Sequence, residues 1–136
     1  MQTPGARGIA TPLLSIIVCT LNRADDLAQC LASLMHQSIT TDAYEILVVD
    51  NGSSDRTVAR VESMSDDYSG RLSCWRCSRP GLSRARNLGI EKARAPLLAF
   101  IDDDARADVH WVRALVAAFR RLPAAVPYPA AVPISA

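Results

Sequence analysis

The chain of 136 residues is long enough to fold around one hydrophobic core, and it requires no second domain. Hydrophobic residues make up 49% of it, charged residues 21%, and the formal net charge is +1. This composition is typical of a globular protein and argues against a disordered tail or a general polyanion binder, so nucleic acid is not an expected partner. No apolar run approaches the roughly 18 residues of a membrane span, and residues 1–12 lack the apolar stretch of a signal peptide. We therefore expect a cytoplasmic protein, either free or peripheral at the cytoplasmic face of the membrane.

The four cysteines, at positions 19, 30, 74 and 77, are expected to be reduced thiols, because nothing points to an oxidising compartment. Cys74 and Cys77 have the spacing of a redox or zinc motif. They lie in a predicted strand, however, where residues three apart point to opposite faces. The sequence therefore predicts that these two thiols do not pair.

The first half of the chain reads as two strands, each followed by a helix. Residues 13–20 and 44–49 are continuous apolar runs rich in β-branched residues, as in strands buried on both faces. Residues 24–37 carry apolar side chains at helical spacing, with Asn22 as a candidate cap. Residues 50–55 form a turn that ends in cap residues for a second helix. The predicted core positions of these helices are Leu27, Cys30, Leu31, Leu34 and Met35, then Val58, Val61 and Met64.

The second half repeats the alternation. Residues 71–77 are a weaker strand, and after the Pro80–Gly81 turn Ser83 is predicted to cap a helix that runs to Arg94. Residues 97–101 form a fourth apolar strand, and residues 109–121 a last helix. The predicted core positions of the two helices are Leu82, Ala85, Leu88 and Ala93, then Val112, Leu115, Val116 and Phe119.

This alternation predicts an α/β fold with a mostly parallel sheet of about four strands flanked by helices, because parallel neighbours need crossover connections. The domain is expected to span residues 13–121, after an N-terminal extension at 1–12. Prolines at 123, 127, 129 and 133 forbid a regular helix and disfavour a central strand. Residues 122–136 are therefore expected to form a Pro/Ala-rich tail, extended or disordered.

Polar residues follow three of the predicted strands, at the ends where ligands collect in such folds. Thr20, Asn22 and Arg23 follow the first, residues 50–55 the second and residues 102–104 the fourth. Three consecutive carboxylates repel one another unless a cation relieves the charge, and oxygen ligands suit Mg²⁺ or Mn²⁺. From the residues alone, a solvated acidic loop remains an equal alternative.

A basic segment supplies the complementary charge. Residues 71–94 contain seven Arg or Lys residues against the single acid Glu91. Arg84 and Arg86 follow the Gly81 turn at a predicted helix N-terminus, where anions are favoured, so a phosphate group is expected nearby. The six glycines fit neither the dinucleotide fingerprint nor the P-loop. His36 and His110 are isolated, and we expect structural roles for both.

Four segments carry a family resemblance: residues 14–23 (LSIIVCTLNR), 49–55 (VDNGSSD), 81–90 (GLSRARNLGI) and 99–111 (AFIDDDARADVHW). In this order and at these intervals they resemble family 2 glycosyltransferases of the Rossmann-like GT-A fold. The resemblance covers residues 13 to about 121. It implies a nucleoside-diphosphate sugar as partner, most simply a UDP-sugar, and Mn²⁺ or Mg²⁺ as cofactor.

The resemblance also implies roles for individual residues. The loop from Thr20 to Arg23 and Asp50 match positions that bind base and ribose, and Asn87 lies in a motif lining the same pocket. Asp102 and Asp103 match positions that face ribose and diphosphate, and Asp104 matches a metal ligand. The full predicted set is Thr20, Asn22, Arg23, Asp50, Asn51, Arg84, Arg86, Asn87, Asp102 and Asp103 for the nucleotide sugar, with Asp104 and Asp102 for the metal.

The implied reaction is sugar transfer to a hydroxyl of a sugar or lipid-linked acceptor, usually with inversion. Such a transfer needs a general base, which in the resembling families follows the acidic motif; this chain has no Asp or Glu after Asp108. We therefore expect a truncated chain that binds donor but transfers poorly, with an unpaired sheet edge through which chains can associate. Two alternatives remain open, a metal-dependent phosphatase or phosphotransferase and a non-catalytic nucleotide-binding module.

Overall fold

A computed structural model of the chain describes residues 11–121. Strands and helices alternate through this range. The elements are β1 (Leu14–Thr20), α1 (Ala24–Met35), a short 3-10 helix (Thr41–Ala43), β2 (Tyr44–Asp50), α2 (Thr57–Asp66), β3 (Arg71–Arg76), α3 (Leu82–Lys92), β4 (Leu97–Phe100) and α4 (Trp111–Arg120). The predicted elements all occur, with ends shifted by one or two residues. The predicted tail at 122–136 and most of the extension at 1–12 lie outside the described residues.

The four strands form one parallel sheet in the order β3-β2-β1-β4. The larger hydrophobic core lies on one face, where α1, α2 and α4 contribute residues such as Leu31, Val61 and Val116. A smaller cluster of Ile17, Val49, Cys77 and Ala85 lies on the other face, under α3. The predicted parallel α/β sheet is therefore confirmed. No helix within residues 11–121 is long and apolar enough to cross a membrane.

Two predicted helix caps are wrong. Asn22 does not cap α1, because its side-chain oxygen accepts hydrogen bonds from the backbone N–H groups of Ser54 and Asp55 instead. Helix α3 begins at Leu82, one residue before the predicted cap Ser83, and follows Gly81 without a side-chain cap. Leu82 is 51% exposed, so its assignment to the core was also wrong. At α1 the Asn22 side chain binds the loop after β2 instead of the helix end. At α3 the backbone oxygen of Gly81 accepts the N–H of Ala85, and no side chain caps the helix.

Helix α3 packs unusually close to the sheet because of small residues. A side-chain carbon added to Gly89 would lie 2.5 Å from Cγ2 of Ile17 on β1. Ala85, one turn earlier, is fully buried. The sequence reads as a weak amphipathic helix here because small buried residues add little to an apolar stripe.

The amino-terminal ends of the strands are held by a buried carboxylate. Glu45 on β2 accepts a 2.6 Å hydrogen bond from Ser15 Oγ on β1 and a 2.7 Å bond from the N–H of Arg94. Ser15 Oγ in turn accepts a 3.1 Å bond from the N–H of Ala95. These contacts fix the α3–β4 connection to the start of the sheet.

All four cysteines are free thiols. Cys74 packs against the larger core, whereas Cys77, one residue past β3, belongs to the cluster under α3. The prediction that the two side chains lie on opposite sides of the strand is therefore confirmed. Burial raises the pKa of Cys19, Cys30 and Cys74 to about 11.

We predict that these three thiols resist alkylation at pH 7 in the folded protein. A thiol with a pKa near 11 is only about 0.01% thiolate at that pH, and the thiolate is the nucleophile. Reactivity should rise with pH towards 11, or appear at once in denaturant. Mass spectrometry after timed alkylation measures this for each cysteine. Rapid modification of Cys30 at neutral pH, or a Cys74–Cys77 disulfide under mild oxidation, would contradict the structure.

Candidate functional site

A cleft of about 460 Å³ opens at the carboxyl ends of β1 and β4, beside the start of α3. Its lining combines acidic, basic, amide and apolar side chains. Of the predicted site residues, it includes Thr20, Arg23, Asn51, Arg86, Asp102, Asp103 and Asp104. Leu21, Leu82 and Phe100 add an apolar wall. The structure thus brings seven of the predicted residues to one place.

The carboxylate triplet is joined to the end of β1 by side-chain contacts. Thr20 Oγ1 donates a 2.9 Å hydrogen bond to Asp103 Oδ2. Arg23 Nη1 lies 3.9 Å from Asp103 Oδ1 and 3.6 Å from Asp104 Oδ2. Asp103 is the least exposed of these charged groups, at 14%. One arginine therefore bridges two of the three carboxylates across 80 residues of sequence.

Burial raises the pKa of Asp103, and the charges of Asp104 and Asp26 raise it further. The hydrogen bond from Thr20 and the charge of Arg23 oppose this shift. The thiol of Cys30 on α1 also donates a 3.5 Å hydrogen bond to the backbone oxygen of Asp102. The repulsion expected within the triplet is thus partly offset by residues of this chain.

The loops after β1 and β2 are tied together by Asn22. This residue has a positive φ of 52°, which asparagine tolerates better than most residues. Its side chain accepts the N–H of Ser54 at 2.8 Å, and its own N–H donates to Ser53 Oγ at 2.8 Å. Asn22 therefore shapes the loop that carries Arg23 and is absent from the cleft lining.

Asp50 lies at the end of β2 and is fully buried. Both of its carboxylate oxygens accept the N–H of Ser53, at 3.2 and 3.1 Å. Arg76, its register partner on β3, places Nε 3.6 Å from Asp50 Oδ2 and donates from Nη2 to the Ser53 oxygen at 2.9 Å. Asp50 is thus absent from the cleft lining and supports the turn at 50–53.

The start of α3 is attached to the same turn. Asn51 Oδ1 accepts a 2.9 Å hydrogen bond from the N–H of Gly81, whose φ of +144° favours glycine. Arg86, on the first turns of α3, lines the cleft. Arg84 and Asn87 are exposed and do not line it, although both were predicted as donor-binding residues.

A metal fits the chemistry of this site with an incomplete set of protein ligands. Within residues 11–121, no three Asp, Glu, His or Cys side chains converge to hold an ion. Mg²⁺ in phosphate sites is usually bound by one or two carboxylates, with phosphate oxygens and water completing the shell. Asp102 and Asp104 are both exposed at the cleft, so they offer this kind of partial site.

Sequence reasoning did not predict the contacts that Arg76, Ser53 and Cys30 make around the site. Each acts through a contact with a residue far away in the sequence, and no local pattern marks such contacts. For Arg76 a signal did exist. Arg76 lies in the segment with excess positive charge, and it pairs in register with the buried Asp50.

Comparison with known proteins decides the family. Residues 15–136 match the family model described as glycosyl transferase family 2. The chain belongs to this family. The matched range includes residues 122–136, and it covers the four segments that first suggested the resemblance except for residue 14. The family resemblance predicted from the sequence is therefore confirmed.

Curated glycosyltransferases share about a third of the aligned residues with this one. AglE of Haloferax volcanii is 34% identical over 101 residues, which are 74% of this chain and 33% of that protein. Validoxylamine A glucosyltransferase of Streptomyces hygroscopicus subsp. jinggangensis is 36% identical over 115 residues, which are 85% of this chain and 27% of that protein. The chain thus spans a third or less of the length of these relatives.

Solved glycosyltransferases share the fold. S. aureus TarS, in a structure with UDP-GlcNAc, matches with a TM-score of 0.71 and 25% identity over 77% of this chain and 30% of that one. The mannosyltransferase PcManGT of Pyrobaculum calidifontis, in complex with GDP-Man and Mn²⁺, matches with a TM-score of 0.66 and 25% identity over 72% of this chain and 29% of that one. The predicted GT-A fold is therefore confirmed.

We predict that Arg76→Gln in this family member lowers the free energy of unfolding by about 1 kcal/mol. The change removes a charge-assisted hydrogen bond to the turn at 50–53 and a cation beside a buried carboxylate. The figure is modest because the Arg76 side chain is 64% exposed. Urea unfolding measures the difference.

Arg79→Gln is the matched control for this prediction. It removes the same charge three residues away, at an exposed position, and should change stability by less than about 0.5 kcal/mol. Equal effects of the two substitutions would show that net charge matters and the contact with Ser53 and Asp50 does not.

Proposed function

We propose that this chain binds a nucleoside-diphosphate sugar together with Mn²⁺ or Mg²⁺, for transfer of the sugar to an acceptor hydroxyl. The observation that carries the proposal is the single cleft shared by Thr20, Arg23 and the carboxylates at 102–104. Membership of a glycosyltransferase family leaves the phosphatase alternative without support.

The diphosphate end of the donor is assigned to the charged side of the cleft. Asp104 and Asp102 would hold the metal, which when bound neutralises charge that builds on the departing diphosphate. Arg23, which now pairs with Asp103 and Asp104, is available to pair with phosphate oxygens once the carboxylates have another cation. Arg86 adds a second positive charge from the first turns of α3.

The nucleoside end is assigned to the side formed by Thr20, Asn51 and the apolar wall. Asn51 is held by Gly81, and Asp50 holds the turn from below, so this side is fixed before a ligand arrives. The TarS complexes with UDP and UDP-GlcNAc and the PcManGT complex with GDP-Man support a nucleotide sugar as the donor class. We favour a UDP-sugar, with sugar or lipid-linked acceptors.

We predict that UDP binds this chain at least about tenfold more tightly with Mn²⁺ than with a chelator, because the metal joins two negatively charged partners. Asp104→Ala should remove most of this metal-dependent gain. Asp50→Ala should weaken UDP binding in both conditions, since it loosens the turn beside the nucleoside. Isothermal calorimetry of the unmodified chain and the two folded variants, each with metal and with chelator, measures these differences.

Asp66→Ala is the control, because Asp66 is an exposed acid in the last turn of α2 and does not line the cleft. It removes the same charge as Asp104→Ala and should leave UDP binding unchanged. Equal UDP affinity with metal and with chelator would take the metal out of the proposal. Unchanged binding in both Asp50→Ala and Asp104→Ala would place the nucleotide elsewhere.

We also predict that the 136-residue chain transfers sugar poorly or not at all. An inverting transfer needs a group that takes the proton of the acceptor hydroxyl. Residues 109–136 contain no Asp or Glu. His110 is engaged outside the cleft, with Nδ1 2.6 Å from Ser38 Oγ. The measurement is product formation with UDP- and dTDP-sugars, Mn²⁺, and sugar or water as acceptor; multiple turnover would show that a base lies before Val109.

A further inference from the structure

The acidic triplet lies in a tight turn, residues 102–105, which we call the acidic turn. The N–H of Ala105 donates to the backbone oxygen of Asp102 at 3.0 Å, so Asp103 and Asp104 occupy the two central positions. The thiol of Cys30 on α1 donates to the same oxygen at 3.5 Å. The first residue of the acidic turn is therefore attached to a different element of the fold.

The chain after the acidic turn is attached to α1 as well. The hydroxyl of Ser33, three residues after Cys30, accepts the N–H of Ala107 at 2.9 Å. Just past the helix, the N–H of Ser38 donates to the backbone oxygen of Val109 at 2.8 Å. Residues three or four apart lie on one face of a helix, so the contacts with this loop come from one side of α1.

Gln37 joins three backbone groups with one side chain. Its Nε2 donates to the oxygen of Ser33 at 2.9 Å and to that of Asp108 at 2.8 Å. Its Oε1 accepts the N–H of Val112 at 2.8 Å. The last carbonyls and the first N–H groups of a helix lack partners within that helix. The Gln37 amide therefore caps the end of α1 and the start of α4, where His110 makes no side-chain cap bond, and it holds the loop between them.

We propose that Gln37 is a positioning residue for the acidic turn. Its contacts fix the chain at residues 108–112, on the far side of the acidic turn from β4. With the chain fixed on both sides, the carboxylates of Asp102 and Asp104 keep their spacing before a metal arrives. The inference rests on the function proposed above, in which these two carboxylates bind the metal. It adds a residue outside the cleft whose effect reaches the metal through the backbone.

Two substitutions at position 37 of the full chain test this role. Gln37→Leu removes all three contacts. Gln37→Glu is nearly the same size and keeps an acceptor for the N–H of Val112, so α4 stays capped, but it loses both donated bonds. The controls are Gln29→Leu and Gln29→Glu, which make the same chemical changes two turns earlier. Gln29 is exposed on α1 and does not line the cleft.

The first readout is amide hydrogen exchange of the chain without ligand, followed by NMR. The N–H of Ala105 closes the acidic turn and does not contact Gln37. It should exchange at least about threefold faster in both position-37 variants, because the loop that follows is released. Val112 should exchange faster in Gln37→Leu only, since a glutamate still accepts its N–H. Both Gln29 variants should match the unmodified chain.

The second readout is calorimetry of UDP with Mn²⁺ and with a chelator. The gain in UDP affinity from Mn²⁺ should fall about three- to tenfold in both position-37 variants, at or below the low end of the effect of partners that contact a metal ligand directly. UDP affinity with chelator should change by less than about twofold, because Gln37 does not line the cleft. Loss confined to the metal-dependent part separates positioning of the carboxylates from general damage to the fold.

Unchanged exchange at Ala105 in both position-37 variants would overturn the proposal. So would an equal loss of UDP affinity with metal and with chelator, or equal effects of the substitutions at positions 29 and 37. If Mn²⁺ gives no gain in the unmodified chain, the proposed function fails and the role of Gln37 towards a metal fails with it. Faster exchange at Ala105 would in that case still show that Gln37 holds the acidic turn, so the two failures are distinguishable.

Discussion

The central position of β1 is the constraint on which the candidate site depends. This strand pairs with β2 on one side and β4 on the other, and Thr20, its last residue, is in register with Asp50. Polar residues that follow three different strands therefore meet at one edge of the sheet. The hydrogen bond from Thr20 to Asp103 is the direct result of that arrangement. A nucleotide sugar bound there would contact segments separated by most of the described chain.

Much of the fold was predictable because its signals are local. Apolar runs identified the buried strands, and helical spacing identified α1 and α4, whose stripes of Leu31, Leu34, Val112 and Val116 are buried as expected. The parallel arrangement followed from the alternation of elements. The same reasoning gave the location of the cleft, because ligands in such folds collect at the carboxyl ends of the strands.

What the sequence did not predict depends on contacts between distant segments. Asn22 has the residue type of a helix cap, yet its partners are 32 and 33 residues further along the chain. Asp50 is fully buried, and its contacts with Ser53 and Arg76 in the turn at 50–53 were not predicted. Arg23 pairs with Asp103 and Asp104, a contact that the sequence analysis did not predict. Each difference arises where tertiary packing offered a partner that local spacing does not reveal.

The buried Glu45 at the far end of the sheet has a consequence for the site. By holding the backbone at Arg94 and the hydroxyl of Ser15, it sets where β4 begins relative to β1. A slip of one residue would shift β4 by about 3.3 Å and turn each of its side chains to the opposite face. The acidic triplet begins two residues after this short strand ends, so a slip of β4 would also move the carboxylates relative to the end of β1. Glu45 thus helps to position the carboxylates from the opposite end of the sheet, because the four-residue strand β4 connects the two regions.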